Sequence, residues 1–153
     1  MTVVVGAADL TLMQTFCPGR PKTKGSMTAR PNGSMHDTPA SSKWRALVAR
    51  SALMARRTQH GDLWTKWSGP VSVACVFYLP VADPIAVRSG DLDKLVRNVL
   101  DALTDAQVYA DDVQVVRVVA EKVAATDLMR PGVWISVKTI AGSGGTVDAR
   151  VAG

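Results

Sequence analysis

The chain has 153 residues, of which 47% are hydrophobic and 20% charged. This length suits one domain with its own core, and the composition is typical of a globular protein. No apolar run approaches the roughly 18 residues that a membrane span needs. The apolar start, Met1 to Ala8, has no basic region and ends at Asp9, so we predict no signal peptide and a cytoplasmic location.

The net charge of +5 is unevenly distributed. Residues 1–70 contain ten Lys and Arg against three acidic residues, whereas residues 71–153 contain eight against ten. A polyanionic partner fits the basic half, and a divalent cation fits the acidic half.

The cysteines and histidines do not form a metal-binding or disulfide pattern. Cys17 and Cys75 are far apart and form no CxxC pair, which favours two free thiols. His36 and His60 have no second ligand at zinc-binding spacing, so we predict no zinc site.

The first half of the chain predicts a strand, a loop and a helix. Loose alternation predicts a strand over residues 10–17, which Pro18 ends. The polar and basic stretch 22–42 predicts a loop that is mobile without a ligand. Apolar residues at helical spacing predict a helix over 43–59, capped by Ser41 or Ser42.

The second half predicts three strands and one helix. Residues 71–79 (VSVACVFYL) are β-branched and aromatic and predict a buried strand. A helix over 93–104 and strands over 113–123 and 133–140 follow. The fold class is therefore α+β, with a mostly four-stranded mixed sheet and two main helices packed on it. We expect one domain over residues 10–140, between an N-terminal extension (1–9) and a flexible tail (141–153); Trp64 and Trp67 are expected in a connecting segment.

An acidic segment begins the second predicted helix. Its apolar residues form one buried stripe: Leu92, Leu95, Val96, Val99, Leu100 and Leu103. Asp93, Arg97 and Asp101 lie on the opposite face, where two ordinary surface ion pairs would explain them. Two helical carboxylates two positions apart diverge, so Asp91 and Asp93 converge only if Asp91 precedes the helix and Asp93 lies in its first turn. Capping by itself explains one of these aspartates more readily than both.

Asp111 and Asp112 form a second acidic pair before a Val-rich strand. A turn explains them simply. A strand start packed beside the helix start would instead bring a third carboxylate to the first two, and the repulsion would favour a bound cation. Ligands that are all oxygen indicate Mg²⁺ or Mn²⁺. Such an ion can activate a water molecule and neutralise the negative charge that develops when a phosphodiester is cut. Arg97 or Lys94 could hold the phosphate in place. Acidic clusters also serve phosphatases and nucleotide-binding enzymes.

A longer pattern gives a resemblance to a known family. The string G-D-L-D-K-L-x-R-x-x-x-D-A-L-T-D-A-x-V-x-x-D-D, with Pro18-Gly19-Arg20-Pro21-Lys22-Thr23-Lys24-Gly25 upstream, resembles the RusA family of Holliday-junction resolvases. Glu121-Lys122 and Pro131-Gly132-Val133 also match features of that family, and the likeness covers residues 10–140. The family's pattern is D-x-D-N, a basic residue, D-A-L and D-D before a strand.

The resemblance implies a homodimer that cuts four-way DNA junctions by paired nicks with Mg²⁺ or Mn²⁺, in recombination and repair. It places Asp91, Asp93 and Asp112 on the family's metal-binding carboxylates and Arg97 on its usual catalytic lysine. Asp111, a further candidate metal ligand, and Asp101 match other acidic positions of the family. Lys94 stands where the family has Asn. Relatives are often phage or prophage proteins.

Basic residues around the acidic segment are candidate DNA contacts: Arg20, Lys22, Lys24, Arg88, Lys94, Arg97 and Lys122. The alternative interpretation of the basic loop over 22–42 is a solvated segment that aids solubility. The alternative role for Arg88 is to offset the negative charge of the carboxylates. Two rival functions stay open. One is a junction-binding protein of the same fold with a weakened site, and the other is a metal-dependent hydrolase of small phosphate esters.

Overall fold

The computed structural model describes residues 2–4, 9–24, 28–29, 35–36, 38–61, 64–80, 90–143 and 146–149. The elements in chain order are β1 (Thr2–Val4), β2 (Thr11–Pro18), β3 (Thr28–Ala29), β4 (Met35–His36), α1 (Pro39–His60), β5 (Trp64–Trp67), β6 (Val71–Leu79), α2 (Leu92–Asp105), a 3₁₀ turn (Asp112–Gln114), β7 (Val115–Ala124), β8 (Gly132–Thr139) and β9 (Thr146–Ala149).

A four-stranded mixed sheet is the centre of the fold. Its strand order is β2-β8-β6-β7, and all neighbours are antiparallel except β6 and β7, which are parallel. Parallel neighbours need a crossover connection, and α2 lies within it. The predicted α+β class, with two main helices on a mostly four-stranded sheet, is confirmed.

The core lies between the helices and one face of the sheet. Every second residue of β6 is buried from Val71 to Leu79, as expected for a strand covered on one face. Trp44, Val48 and Ala52 of α1 and the apolar stripe of α2 pack against this face. Cys17 and Cys75, which the sequence predicts to be free thiols, are free and are buried in this core.

Helix α1 begins earlier than the sequence predicts. It starts at Pro39, and Thr38 is its cap: the Thr38 hydroxyl accepts a hydrogen bond from the Ser41 backbone N–H at 3.3 Å. The prediction that Ser41 or Ser42 caps the helix was therefore wrong. Proline is favoured in the first helical turn because it has no N–H to leave unpaired there, and Ser41 is instead buried inside the helix.

Short strands outside the main sheet are a second difference. β5 contains the W-x-x-W motif, and its Trp67 is buried at 1% exposure, so this segment is part of the structure rather than a plain connection. β9 pairs with both β5 and β1, although we predicted a flexible tail from Ala141. Such pairing depends on partners distant in sequence, which composition does not reveal. No helix in the described part of the chain is long and apolar enough to cross a membrane.

The direction of α2 determines where the acidic residues lie. The helix follows β6 and precedes the parallel strand β7, so it runs back along the sheet for about 21 Å. Its first turn therefore lies near the carboxyl ends of β6 and β7, and its last turn lies near their amino ends. The hydrogen bond from Lys122 Nζ, late in β7, to the Gly90 carbonyl at 3.1 Å agrees with this direction.

Candidate functional site

Asp91 and Asp93 occupy the start of α2 as the sequence predicts. Asp91 is the N-cap residue, with extended backbone (φ −71°, ψ 136°), and Asp93 lies in the first helical turn. Both are exposed. The Asp91 side chain accepts no capping hydrogen bond, so capping does not account for this carboxylate, and its oxygens remain open to another ligand.

Glycine is required just before this start. Gly90 has φ +80°, and a Cβ there would overlap the Thr23 side chain. The basic loop and the helix start are therefore in close contact through a residue without a side chain.

Lys94 lies beside Asp91. Its ammonium is 3.2 Å from the Asp91 carboxylate, and both side chains are about half exposed or more (48% and 68%). An exposed pair of this kind contributes under about 1 kcal/mol. Lys94 thus reduces the negative charge at the helix start without closing the carboxylate off from solvent.

Asp111 and Asp112 form the second acidic pair, at the 3₁₀ turn before β7. The Val113 backbone N–H donates to Asp111 at 3.0 Å, and this bond, followed by the hydrogen bond with Asp112, holds the pKa of Asp111 below its usual value. The hydrogen bond with Asp111 is the largest cause that raises the pKa of Asp112. The two exposed carboxylates therefore lie next to each other.

The structure does not bring the helix-start and strand-start carboxylates together within one chain. No three His, Cys, Asp or Glu side chains of the described residues form a group that would hold a metal ion. Asp112 lies instead within electrostatic reach of Asp101, which raises its pKa, and of Arg97, which lowers it. Asp112 thus lies beside the middle of α2, whereas Asp91 and Asp93 are at its first turn.

The predicted ion pairs along the polar face of α2 are replaced by other partners. Asp101 pairs with Lys24 of the basic loop and lies 4.0 Å from Arg45 of α1. Arg45 also makes a two-pronged contact with Asp105, at 2.6 and 2.8 Å. Within the described ranges, Arg97 pairs with neither Asp93 nor Asp101 and is exposed.

A buried asparagine holds the basic loop against α2. Asn98, at 1% exposure, donates from Nδ2 to the Lys22 carbonyl at 3.1 Å and also contacts Ser41. The Lys24 backbone N–H donates to the Lys94 carbonyl at 3.0 Å, and the Ser41 hydroxyl donates to the Thr23 carbonyl. Residues 22–24 are therefore held on the helix by hydrogen bonds, although we expected the whole loop over 22–42 to be mobile.

Sequence reasoning missed Asn98. It falls between Val96 and Val99, next to the apolar stripe, and a polar residue at that edge was the available signal.

The remaining candidate DNA contacts differ in their exposure. Arg20 is exposed, and Lys22 and Lys24 are half-buried. Lys122 is also half-buried and donates to the Gly90 carbonyl. Arg88 lies outside the described residues.

The sequence matches the family model described as Endodeoxyribonuclease RusA over residues 18–138, which is most of the chain. The chain belongs to the RusA family. Residues 18–138 of this RusA-family chain include the basic loop, both helices and β6 to β8. The Asp91, Asp93 and Asp112 positions all fall inside the match. Membership supports a nuclease acting on DNA.

Other comparisons add little. No curated protein matches the sequence closely enough to indicate a relationship. Among solved structures, the protein Atu1372 with unknown function from Agrobacterium tumefaciens is similar at 12% identity and a TM-score of 0.41, covering 98% of this chain and 82% of that chain. A likeness of this size carries no functional meaning for the RusA-family chain.

Proposed function

We propose that this RusA-family protein is a Mg²⁺- or Mn²⁺-dependent endonuclease that resolves four-way DNA junctions by paired nicks, in recombination and repair. The observation that carries the proposal is the family match over residues 18–138. The exposed, uncapped Asp91 beside Asp93 supports it. We place this activity in the cytoplasm, or in the host cytoplasm if the gene is carried by a phage.

The carboxylates have the donor chemistry that such an ion requires. Asp91, Asp93, Asp111 and Asp112 are exposed and offer only oxygen, which Mg²⁺ and Mn²⁺ prefer. When bound, a divalent ion would activate a water molecule and neutralise charge on the phosphodiester. The donors fit in kind but are not grouped in a single chain, so we assign Asp91, Asp93 and Asp112 as ligands of a site that one chain leaves incomplete.

A second copy of the chain is the proposed complement. β7 lies at the edge of the sheet, and it exposes Val116 (62%), Val118 (43%) and Val119 (62%). An exposed apolar edge strand is a template for pairing with another strand. Because homodimers are usually two-fold symmetric, β7 would pair antiparallel with the partner's β7.

This pairing would bring the helix-start aspartates of one chain close to the strand-start aspartates of its partner. In an antiparallel pair, the start of one β7 lies beside the end of the other. The end of β7 is linked to the start of α2 through Lys122 and Gly90. The partner's Asp112 would therefore arrive at the end of the sheet that carries Asp91 and Asp93, which gives two equivalent sites per dimer and one nick from each.

The cations supply the DNA surface in this proposal. Lys22 and Lys24 are fixed on α2 near its start, and Arg97 is exposed one turn beyond Asp93. Arg20 and Lys94 are exposed and extend the proposed DNA contacts, and Arg88, outside the described residues, is a further candidate from the sequence alone. Cations bind the phosphate backbone regardless of sequence and make affinity salt-dependent. The chain's own share in the reaction is to hold the backbone beside the carboxylates, with Arg97 on the phosphate that is cut.

The experiment is a nicking assay on a synthetic four-way junction with and without Mg²⁺ or Mn²⁺, together with a gel-shift assay. Asp93→Asn should abolish nicking while junction binding survives, because the basic surface is unchanged. Asp127→Asn, a matched loss of one exposed carboxylate in the turn before β8, should nick normally. Full activity of Asp93→Asn with Mg²⁺ present would overturn the proposal.

A junction-binding protein without cleavage is the second candidate. The observation that favours it is the Lys94–Asp91 contact at 3.2 Å, at a position where the family resemblance expects Asn. The pair is exposed and worth under about 1 kcal/mol, which a divalent ion would readily displace, so the enzyme remains the better proposal. Junction binding without nicking by the natural chain, and nicking by Lys94→Asn, would establish the second candidate.

A further inference from the structure

The sheet face that points away from the helices contains a cavity of about 310 Å³. This volume lies in the range of small-molecule sites in proteins. The lining residues come from three adjacent strands and the segment before β2: Asp9, Ser72, Ala74, Arg117, Val119, Trp134, Ser136 and Lys138. None of them is among the candidate metal ligands Asp91, Asp93, Asp111 and Asp112.

The strand register explains why a cavity forms there. Ser72 of β6 pairs with Arg117 of β7 on one side and with Lys138 of β8 on the other, so these three side chains form one row across the sheet. Ala74, the next residue on this face of β6, lies between Val119 and Ser136. Small side chains on the central strand and long ones on its neighbours leave a groove along β6.

Two cations face each other across this groove. Arg117 and Lys138 lie two strand spacings apart, roughly 10 Å between Cα atoms, and both are exposed. Neither forms an ion pair with any other residue that the structure describes. Asp9 is the one carboxylate in the lining, and it already accepts a hydrogen bond from the Ala141 backbone N–H at 2.6 Å. The groove is therefore a place where an anion would be held between two positive side chains.

A buried hydroxyl gives an independent indication of a ligand. Ser136 is only 3% exposed and lines the cavity, yet its Oγ has no hydrogen-bond partner among the described atoms. Buried polar groups are nearly always paired, and an unpaired one costs about 1–3 kcal/mol. A ligand oxygen at the floor of the groove would supply the missing partner.

The aromatic end of the cavity specifies the class of ligand. Trp134 lies one row beyond Ser136 on the same face of β8, and it is partly exposed. An aromatic ring next to a cationic groove suits a planar base joined to a phosphate. We propose that this cavity binds a nucleotide, with its phosphate between Arg117 and Lys138 and its base against Trp134. The ligand is either a free mononucleotide or a single nucleotide of a DNA strand.

Tryptophan fluorescence and calorimetry test the proposal on the full-length protein, with no step that depends on cleavage. The probes are thymidine monophosphate, inorganic phosphate and a short oligothymidylate. Thymidine monophosphate should bind and quench fluorescence, and Trp134→Phe should remove the quenching. Arg117→Gln and Lys138→Gln should each weaken binding at least tenfold, whereas Lys43→Gln, a matched change on the exposed face of α1, should leave it unchanged.

Ser136→Ala separates a binding role from a structural one. Because the substitution removes an unpaired buried hydroxyl, the thermal midpoint should stay the same or rise, while nucleotide affinity should fall. Oligothymidylate binding that is tighter than mononucleotide binding and is weakened by Arg117→Gln would assign the site to a DNA strand, and equal binding would assign it to free nucleotides. No binding of thymidine monophosphate, or equal affinity for inorganic phosphate, would overturn the proposal. Neither result depends on the junction nuclease, since Asp93→Asn leaves this face intact.

Discussion

Lys122 reaches from the end of β7 to the backbone carbonyl of Gly90, and the 3.1 Å hydrogen bond fastens the strand to the residue before Asp91. We infer from this bond that the half-buried lysine positions the start of α2, whereas the sequence suggested a DNA contact. The two roles have different consequences, which a substitution can separate.

Lys122→Met should slow nicking at least tenfold and leave the salt dependence of junction binding unchanged. The aliphatic stem is kept, but the helix start loses its link to β7 and the carboxylates lose their position. A lost charge-assisted hydrogen bond of this kind costs about 1–3 kcal/mol of stability. The measurements are single-turnover nicking and binding across a salt series, with Lys43→Met as the matched control. A decrease of about one in the salt slope with normal nicking would make Lys122 a phosphate contact instead.

The second helix and its start could be predicted because local rules decide them. The apolar stripe from Leu92 to Leu103 recurs with the period of a helix. Asp91 comes just before it, and the carboxylates of Asp91 and Asp93 can converge only if Asp91 is the N-cap residue, as it is. The strand β6 was equally clear from its β-branched sequence. Each of these features depends on neighbours within a few residues.

Features that depend on distant residues were not predictable in the same way. The pairing of β9 with β1 joins Thr146 to Val4, and although β1 is rich in β-branched residues, the sequence does not indicate that these two distant segments pair. The place of Asp112 beside the middle of α2 depends on how β7 pairs with β6, and a sequence does not state which strands are parallel. The hydrogen bond between Asn98 and Lys22 joins two segments that are far apart in the sequence, so it could be found only from the folded structure.

Asp101→Asn should strengthen the binding of DNA and loosen the basic loop. The carboxylate pairs with Lys24, and both side chains are mostly buried (18% and 26% exposed). Without it, Lys24 gains one free positive charge for phosphate, which should steepen the salt dependence by about one. Losing the pair should lower the free energy of unfolding by about 1 kcal/mol. Gel shifts at several salt concentrations and a urea titration measure both effects.

The matched control for that experiment is Asp127→Asn, which removes the same charge from an exposed turn without touching Lys24. An equal steepening in Asp127→Asn would show that net charge, rather than the release of Lys24, is responsible.

Arg97 should act as a phosphate clamp that tolerates lysine. Its side chain is exposed, has no ion pair in the described part of the chain, and lies within electrostatic reach of Asp112. Arg97→Lys keeps the charge and should nick within about threefold of the natural rate. Arg97→Gln should lose at least tenfold, or about 1.4 kcal/mol of transition-state stabilisation. Arg50→Gln, on the exposed face of α1, is the control. A rate increase well beyond threefold in Arg97→Lys would indicate proton donation, which arginine performs poorly.

Mixed dimers should reveal whether each acidic site uses two chains. If Asp91 and Asp93 work with the partner's Asp112, a dimer of one Asp93→Asn chain and one Asp112→Asn chain keeps one complete site. Each homodimer should be inactive, and the mixed dimer should make a single nick at up to half the natural rate. Differently tagged chains, purified as the heterodimer, allow this measurement on a labelled junction.

The reciprocal mixture gives the opposite result from the same geometry. A natural chain paired with an Asp93→Asn/Asp112→Asn double variant has one substituted ligand in each shared site, so we expect no nicking. If all three ligands instead came from one chain, this second dimer would be active and the first would be dead. Because both dimers contain the same two substitutions, general damage to the fold would affect them alike, and only the assignment of ligands to chains separates their activities.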